Sequence, residues 1–275
     1  MIPPRYFPFA SPEFSLTVGA RPLAPGDHLI ETDVDYESEV DQKLHCLAAD
    51  PVYYFQQLPG TRDAQQEAVE LLERDVAGRP LRPRWYPPTF APGVREGTRP
   101  QAPLDAFGRA VQEDLLLLDP QLRLVAGQLC FANAWCLDEK LGLPLTAVHG
   151  PVPGYAEKLA APVEKLLERL RPDRPVWRVN WALRPTPQLD LTSRHSLWVE
   201  RLKAGCRLDD CWLRVERQTL SRLPATGCIL FTIHTYQDPV TALTAAQRAL
   251  VAAVVRATPA ATLRYKGIAF LENAT

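Results

Sequence analysis

A chain of 275 residues with 46% hydrophobic and 23% charged side chains can bury one large core or two small ones, in the manner of a folded water-soluble protein. Its formal net charge of −1 removes the electrostatic case for nucleic acid or an acidic membrane surface, and no stretch nears the roughly 18 apolar residues of a membrane span. Twenty-seven prolines against 14 glycines predict many stiff loops and few long helices.

Residues 1–35 mix proline, aromatics and turn formers, which predicts an irregular arm packing Tyr6, Phe7, Phe9 and Phe14 onto the body. The opening MIPPRYFPF has no apolar run behind a basic start, so it does not read as a secretion signal. Cys46, Cys130, Cys136, Cys206, Cys211 and Cys228 form no CxxC pair, which argues against a zinc ribbon or thioredoxin motif, and with no secretion signal or membrane span the chain reads as cytoplasmic with reduced thiols. Helical spacing over 36–47 puts Val40, Leu44 and Leu47 on one face, and Asp50-Pro51 should end that helix. A second helix, charged and solvent-facing, is expected over 61–76. Prolines, arginines and aromatics recur without period over 78–100, where Arg79, Arg82 and Arg84 make a basic cluster in an expected loop or boundary.

The segment 103–118 reads as an amphipathic helix with Phe107, Val111 and Leu115 on one side. Residues 122–135 read as a strand or hairpin with Gly127 at a bulge or turn, and 137–142 as a short helix. HGPVPG (149–154) must be a stiff, non-helical turn, and a helix over 155–170 should bury Leu159, Val163, Leu166, Leu167 and Leu170, with Pro162 kinking it or near its start. VWRVNWAL (176–183) alternates as a strand, with Trp177, Val179 and Trp181 opposite Arg178 and Asn180. The strands at 211–224 and 226–236 should meet in a hairpin, a final helix covers 244–257, and the end of the chain reads as irregular. Helices, then an antiparallel sheet, then a helix make an α+β class.

Dinucleotide, P-loop, GxSxG and HExxH signatures are absent from the sequence. His149, on a rigid turn after an apolar run, suits either an axial metal ligand or catalytic base, or a hydrogen-bonded structural imidazole. In LRVERQTL, alternation sets Leu213, Val215, Arg217 and Thr219 against Arg214, Glu216 and Gln218. Whichever face turns inward buries charge, which needs an anionic or polar partner, unless this is an edge strand with one solvated face. Tyr236 is either an active-site hydroxyl or a cap on the sheet edge. His234 is ambiguous, while His28, His45 and His195 read as surface residues. Asn180 must find a partner if buried.

The segments EKLGLPLTAVHGPVPGYAEKL, WRVNW, RVERQTLSRLPATGCILFTIHTY and RYKGI, with GARPLAPGDHLIETDVDYESEVDQK before them, together resemble the haem-dependent oxidative N-demethylase α-subunit-like family over nearly the whole chain. The resemblance implies one haem-binding PAS-like domain over 1–275: a core at 104–275, a five-stranded antiparallel sheet flanked by helices, with an N-terminal arm and helical additions over 1–103. It implies haem b between sheet and helices with its iron on His149, and Tyr155, Arg178, Asn180 and Gln218 as further cofactor-binding residues. Arg217, Glu216 and Tyr236 become the catalytic candidates: Arg217 or Arg178 for propionates or distal oxygen, Glu216 with Tyr236 for an amine. The implied reaction is O2-dependent demethylation of a small secondary amine resembling dimethylamine. Electrons would come from a separate flavin or Fe–S reductase, because this chain carries neither a flavin motif nor a cluster-binding cysteine set. A non-catalytic gas or redox sensor or haem carrier on the same scaffold is the alternative, and a haem-free domain a third. The chain departs from the pattern at FANAW (131–135), where the family has a Phe-Pro-small-Gly-Trp run, and at His234, where it commonly has arginine.

Overall fold

The computed structural model describes residues 4–77 and 101–272; the loop and basic cluster expected over 78–100 lie outside the described residues. After an arm containing the two-residue strand β1 (Arg21–Pro22), helix α1 (Tyr36–Ala49) turns Tyr36, Val40, Lys43 and Leu47 inward at helical spacing. Asp50 then accepts from the Tyr53 amide at 3.2 Å and caps α2 (Pro51–Tyr54), with Pro51 in the first turn where its missing N–H costs nothing. Strand β2 (Phe55–Gln57) and α3 (Arg62–Val76) follow. The second helix is not simply solvent-facing: Ala64, Gln65, Ala68, Val69, Leu72 and Val76 are buried along one side.

Next come α4 (Pro103–Gly108), β3 (Asp114–Leu118), β4 (Leu124–Gln128), α5 (Leu145–Val148) and α6 (Ala160–Arg169). The long helix expected over 103–118 is therefore corrected, because it stops at Gly108 and Asp114–Leu118 is a strand. A run such as DLLLL, buried on both faces, carries no period that separates helix from strand. The short helix at 137–142 is a single 3-10 turn, Leu137–Glu139. A π-turn at Tyr155–Leu159 opens α6, with Pro162 in its first turn, and the apolar stripe is covered unevenly: Leu167 and Leu170 are buried, Leu159, Val163 and Leu166 half-buried.

Three long strands complete the sheet: β5 (Val176–Arg184), then, after α7 (Ser196–Leu202), the hairpin of β6 (Trp212–Arg222) and β7 (Ile229–Pro239). Helix α8 (Ala245–Ala257) starts at a reciprocal Thr244–Gln247 capping box, and α9 (Ala260–Tyr265) shows that the end of the chain is not irregular as expected. The sheet runs β1-β5-β6-β7-β3-β4-β2, antiparallel throughout. Strand β6 lies at its interior, not its edge, and Leu213–Ser221 is buried on both faces.

The first face carries Arg178, Asn180, Arg214, Glu216, Gln218 and Ile233, and α5 and α6 pack their leucines against its apolar part at Leu116, Leu220 and Ile229. The second face carries Leu115, Leu117, Val215, Arg217, His234 and Tyr236 under α1, α3, α4, α8 and the arm. Tyr6 meets Trp177 edge-on at 5.7 Å and Phe9 meets Trp181 at 4.9 Å, so Tyr6, Phe7 and Phe9 of the arm pack onto the body as expected.

Gly127 is neither bulge nor turn. It sits mid-strand between Leu116 and Gln56, while the register shift falls at Leu117/Leu118. A Cβ there would come 2.6 Å from Leu116 Cδ2 and 3.1 Å from Leu137 Cδ2, both on buried side chains. Gly127→Ala should therefore destabilise the chain by about 1–3 kcal/mol, through overpacking. Urea unfolding read by circular dichroism measures this; a neutral or stabilising effect would mean the two leucines yield freely.

Candidate functional site

His149 closes α5 with φ −97° and ψ 0°, half-buried at the start of the Gly-Pro-Val-Pro-Gly turn. Its Nδ1–H donates to the Leu145 carbonyl at 3.0 Å, and its ring stacks on Tyr155 at 4.9 Å and 11°. That bond fixes the tautomer and leaves the lone pair on Nε2. Burial, together with the positive charges of Arg178 and Lys140, holds the imidazole pKa below its ordinary value despite the Leu145 bond, so the neutral, donating form prevails at neutral pH. The π-turn and Gly154, with φ 76°, bring Tyr155 back over the ring.

A polar chain runs along the first face of the sheet. Arg178 donates to Gln218 Oε1 at 3.3 Å, and Gln218 and Asn180 donate to Glu216 Oε2 at 3.0 and 3.3 Å. Arg214 Nε lies 3.7 Å from Glu216 Oε1. The register explains the grouping, since Arg178 is opposite Gln218 and Asn180 opposite Glu216. Arg184, in the same alternation, and Lys266, beyond α9, feel Glu216 as well. Burial lowers the Arg178 and Arg214 pKa, brings Arg184 to about 10, and brings Lys266 to about 8 with repulsion from Arg184 and Arg178. Four cations thus act on Glu216, with Arg214 drawn to Asp114, Glu39 and Asp190 as well. Carbonyls take up part of this excess: Lys266 Nζ donates to Trp181, and Arg184 to Lys266, each at 2.7 Å. Arg178 Nε and the Tyr155 hydroxyl, both buried, keep no hydrogen-bond partner among the described residues.

His149, Tyr155, Arg178, Asn180, Gln218 and Glu216 therefore belong to one side of the sheet. Arg217 and Tyr236 do not. Strand alternation sends them to the second face, where the Tyr236 hydroxyl donates to Glu31 and Arg217 Nε lies 3.5 Å from the same carboxylate. Arg217 also donates to the carbonyls of His28, at 2.6 Å, and Leu29. The expected pairing of Glu216 with Tyr236 around one substrate is thereby corrected, because the thickness of the sheet separates them. Glu31 bonds Tyr6 at 2.8 Å and Arg5 at 3.1 Å too, which gives this cluster the form of a clasp holding the arm.

Sequence reasoning gave no role to two contributors. Arg184 follows from extending the 178–180 alternation, whereas Lys266, within the RYKGI segment, reaches the surroundings of Glu216 only through the tertiary path of α9. At the FANAW departure the turn survives without glycine: Ala134 takes φ 65°, and Asn133 Oδ1 accepts from Arg184 at 2.7 Å. Two surface clefts, of about 390 and 460 Å³, open around Leu23, one toward Leu166 and Leu170 and the other toward Leu71 and Asp75; neither is lined by His149. Among the described residues, no helix is long and apolar enough to cross a membrane.

Compared with known families, residues 19–275 match the model described as haem-dependent oxidative N-demethylase, alpha subunit-like.

Proposed function

Because the chain belongs to the haem-dependent oxidative N-demethylase, alpha subunit-like family, we propose that it binds haem b through His149 Nε2 and serves as the catalytic subunit of an O2-dependent N-demethylase for a small secondary amine. The observation that carries this reading is the neutral, oriented His149 imidazole beside a polar face with surplus positive charge. Bound haem would supply O2 binding and activation; O2 is the oxidant, taking two electrons from the amine and two from the reductase and ending as water.

The chain's own residues fit such a group. His149 offers a fixed lone pair, as a ligand held by its other ring nitrogen does. Arg178, with its unpartnered Nε, would pair a propionate, and Tyr155 would lie against the ligand ring. Apolar Leu145, Val163, Trp135 and Phe231, all half-buried near α5 and α6, would exclude water from a flat ligand seated by parting that segment from the sheet. Glu216, held by Asn180 and Gln218, would orient the protonated amine. Oxidation of the amine to an imine, then attack by water, releases formaldehyde and a primary amine. Electrons come from a separate flavin or Fe–S reductase in the cytoplasm.

The whole chain acts as one haem-binding unit, with 1–103 forming arm and helices around a PAS-like core at 104–275. Supporting this are the packing of α1 and α3 onto strands of that core and the order β5-β6-β7-β3-β4 of its five strands. One observation favours the sensor or carrier alternative: Glu216 already accepts two hydrogen bonds and faces Arg214 at 3.7 Å. Haem titration into the purified chain should give a Soret band saturating at one equivalent. With a reductase and NADPH, dimethylamine should then yield formaldehyde. A haem-loaded protein that releases none under air would identify the sensor or carrier, and failure to take up haem would sink both readings.

A further inference from the structure

On the second face of the sheet, away from His149, a separate group of donors meets. His234 on β7 is fully buried, and its Nδ1–H donates to Glu113 Oε1 at 2.8 Å. This leaves Nε2 directed toward Asp33, whose Oδ2 is 3.6 Å away, too far for a hydrogen bond; Nε2 has no such partner among the described residues. One ligand atom each from Asp33, Glu39 and His234 lies within 4.8 Å of the others. Gln112 Nε2 donates to Asp33 Oδ1 at 2.8 Å and to Glu39 Oε2 at 2.6 Å, and the Asp35 amide donates to Asp33 Oδ1 at 2.9 Å. These bonds orient the two carboxylates from the outside. The His234 ring is held flat against Tyr236 at 4.3 Å.

We propose that His234 Nε2 and the carboxylates of Asp33 and Glu39 form a binding site for one divalent transition-metal ion of the Zn2+ type. The carboxylate–histidine pair of Glu113 and His234 is the arrangement that fixes a metal-ligating imidazole and raises its donor strength. One nitrogen and two carboxylate donors suit Zn2+ or its first-row neighbours, and the imidazole disfavours Ca2+ and Mg2+. Three carboxylates, those of Asp33, Glu39 and Glu113, converge on a single imidazole, so a dication offsets charge that the packing has drawn together. Asp33 and Glu39 are half-buried and form the entrance, while His234 forms the floor. Three protein donors leave a fourth position for water. The ion would join the arm (Asp33) and α1 (Glu39) to β7 (His234), across about 200 residues of sequence. Its role is to clamp the N-terminal segment to the sheet.

The full chain, stripped with a chelator and titrated with Zn2+ by calorimetry, is expected to bind one equivalent and to melt at a higher temperature. Co2+ in its place should give visible d–d bands that disappear on adding Zn2+. Asp33→Asn and His234→Gln should each weaken binding at least ~100-fold, and Glu113→Gln, which loses only the outer carboxylate, by roughly 10–100-fold. Asp33→Asn is nearly isosteric and, unlike His234, not fully buried, so it reports on binding even if the buried substitution misfolds. Failure of the wild-type chain to retain one equivalent would overturn the proposal, as would an Asp33→Asn protein that binds like wild type. In either case His234 is only an ion-pair partner of the arm.

Discussion

His149→Ala should leave a folded protein that no longer ligates haem iron through the chain. The substitution removes one hydrogen bond, to Leu145, and a ring stack on Tyr155 from a half-buried position, which costs roughly 1 kcal/mol of stability. Under the proposed haem ligation, function would depend on the same atoms far more strongly. No other described histidine lies on that side of the sheet within this turn, so the Soret band should shift or vanish and formaldehyde release should fall at least ~100-fold, beyond the range for losing an outer partner of a metal ligand. Added imidazole should restore part of the ligation signal, because the turn and Tyr155 still shape the position. An unchanged spectrum in His149→Ala would place the iron elsewhere and remove the basis of the proposed activity.

The second large effect is expected at Arg214, which is fully buried. Its guanidinium donates to the Leu189 carbonyl at 2.9 Å, to the Phe131 carbonyl and to Thr235 Oγ1 at 3.3 Å, and lies near Glu216. These bonds tie β6 to the FANAW turn and to the loop before α7. Arg214→Ala leaves two buried carbonyls without their donor and removes one of the cations near Glu216, so unfolding free energy should drop by about 3–5 kcal/mol. That is a large part of the roughly 5–15 kcal/mol holding a typical domain together. Arg214→Lys should recover little, because one ammonium cannot span donors aimed at two separate carbonyls. Urea unfolding of the three proteins decides this. A loss below about 1 kcal/mol for the alanine variant would show that the surrounding groups find water or one another instead.

Both effects depend on positions the sequence marks with different clarity. The turn at His149 is legible locally, since proline and glycine forbid regular helix in HGPVPG whatever surrounds it. The alternation of Arg178 with Asn180 and of Arg214 with Glu216 is legible too, because strand geometry alone sends them to one side. Whether that side is solvated is not. An edge strand and an interior strand can share the pattern, and β6 is interior only because β5 and β7 flank it.

The sequence by itself determined the family, the α+β class, the helices α1, α3, α6 and α8, the β6–β7 hairpin and the turn that carries His149. The family follows from several motifs in fixed order along the chain, and each of the other features from a period or a stiff residue contained within one segment. Tertiary structure alone decided that Asp114–Leu118 is a strand, that Tyr236 and Glu216 face opposite ways, that Lys266 joins Glu216, and that Asp33 and Glu39 meet His234. A fully apolar run has no period to read, and a charge shows its partner only once distant strands set the two side by side.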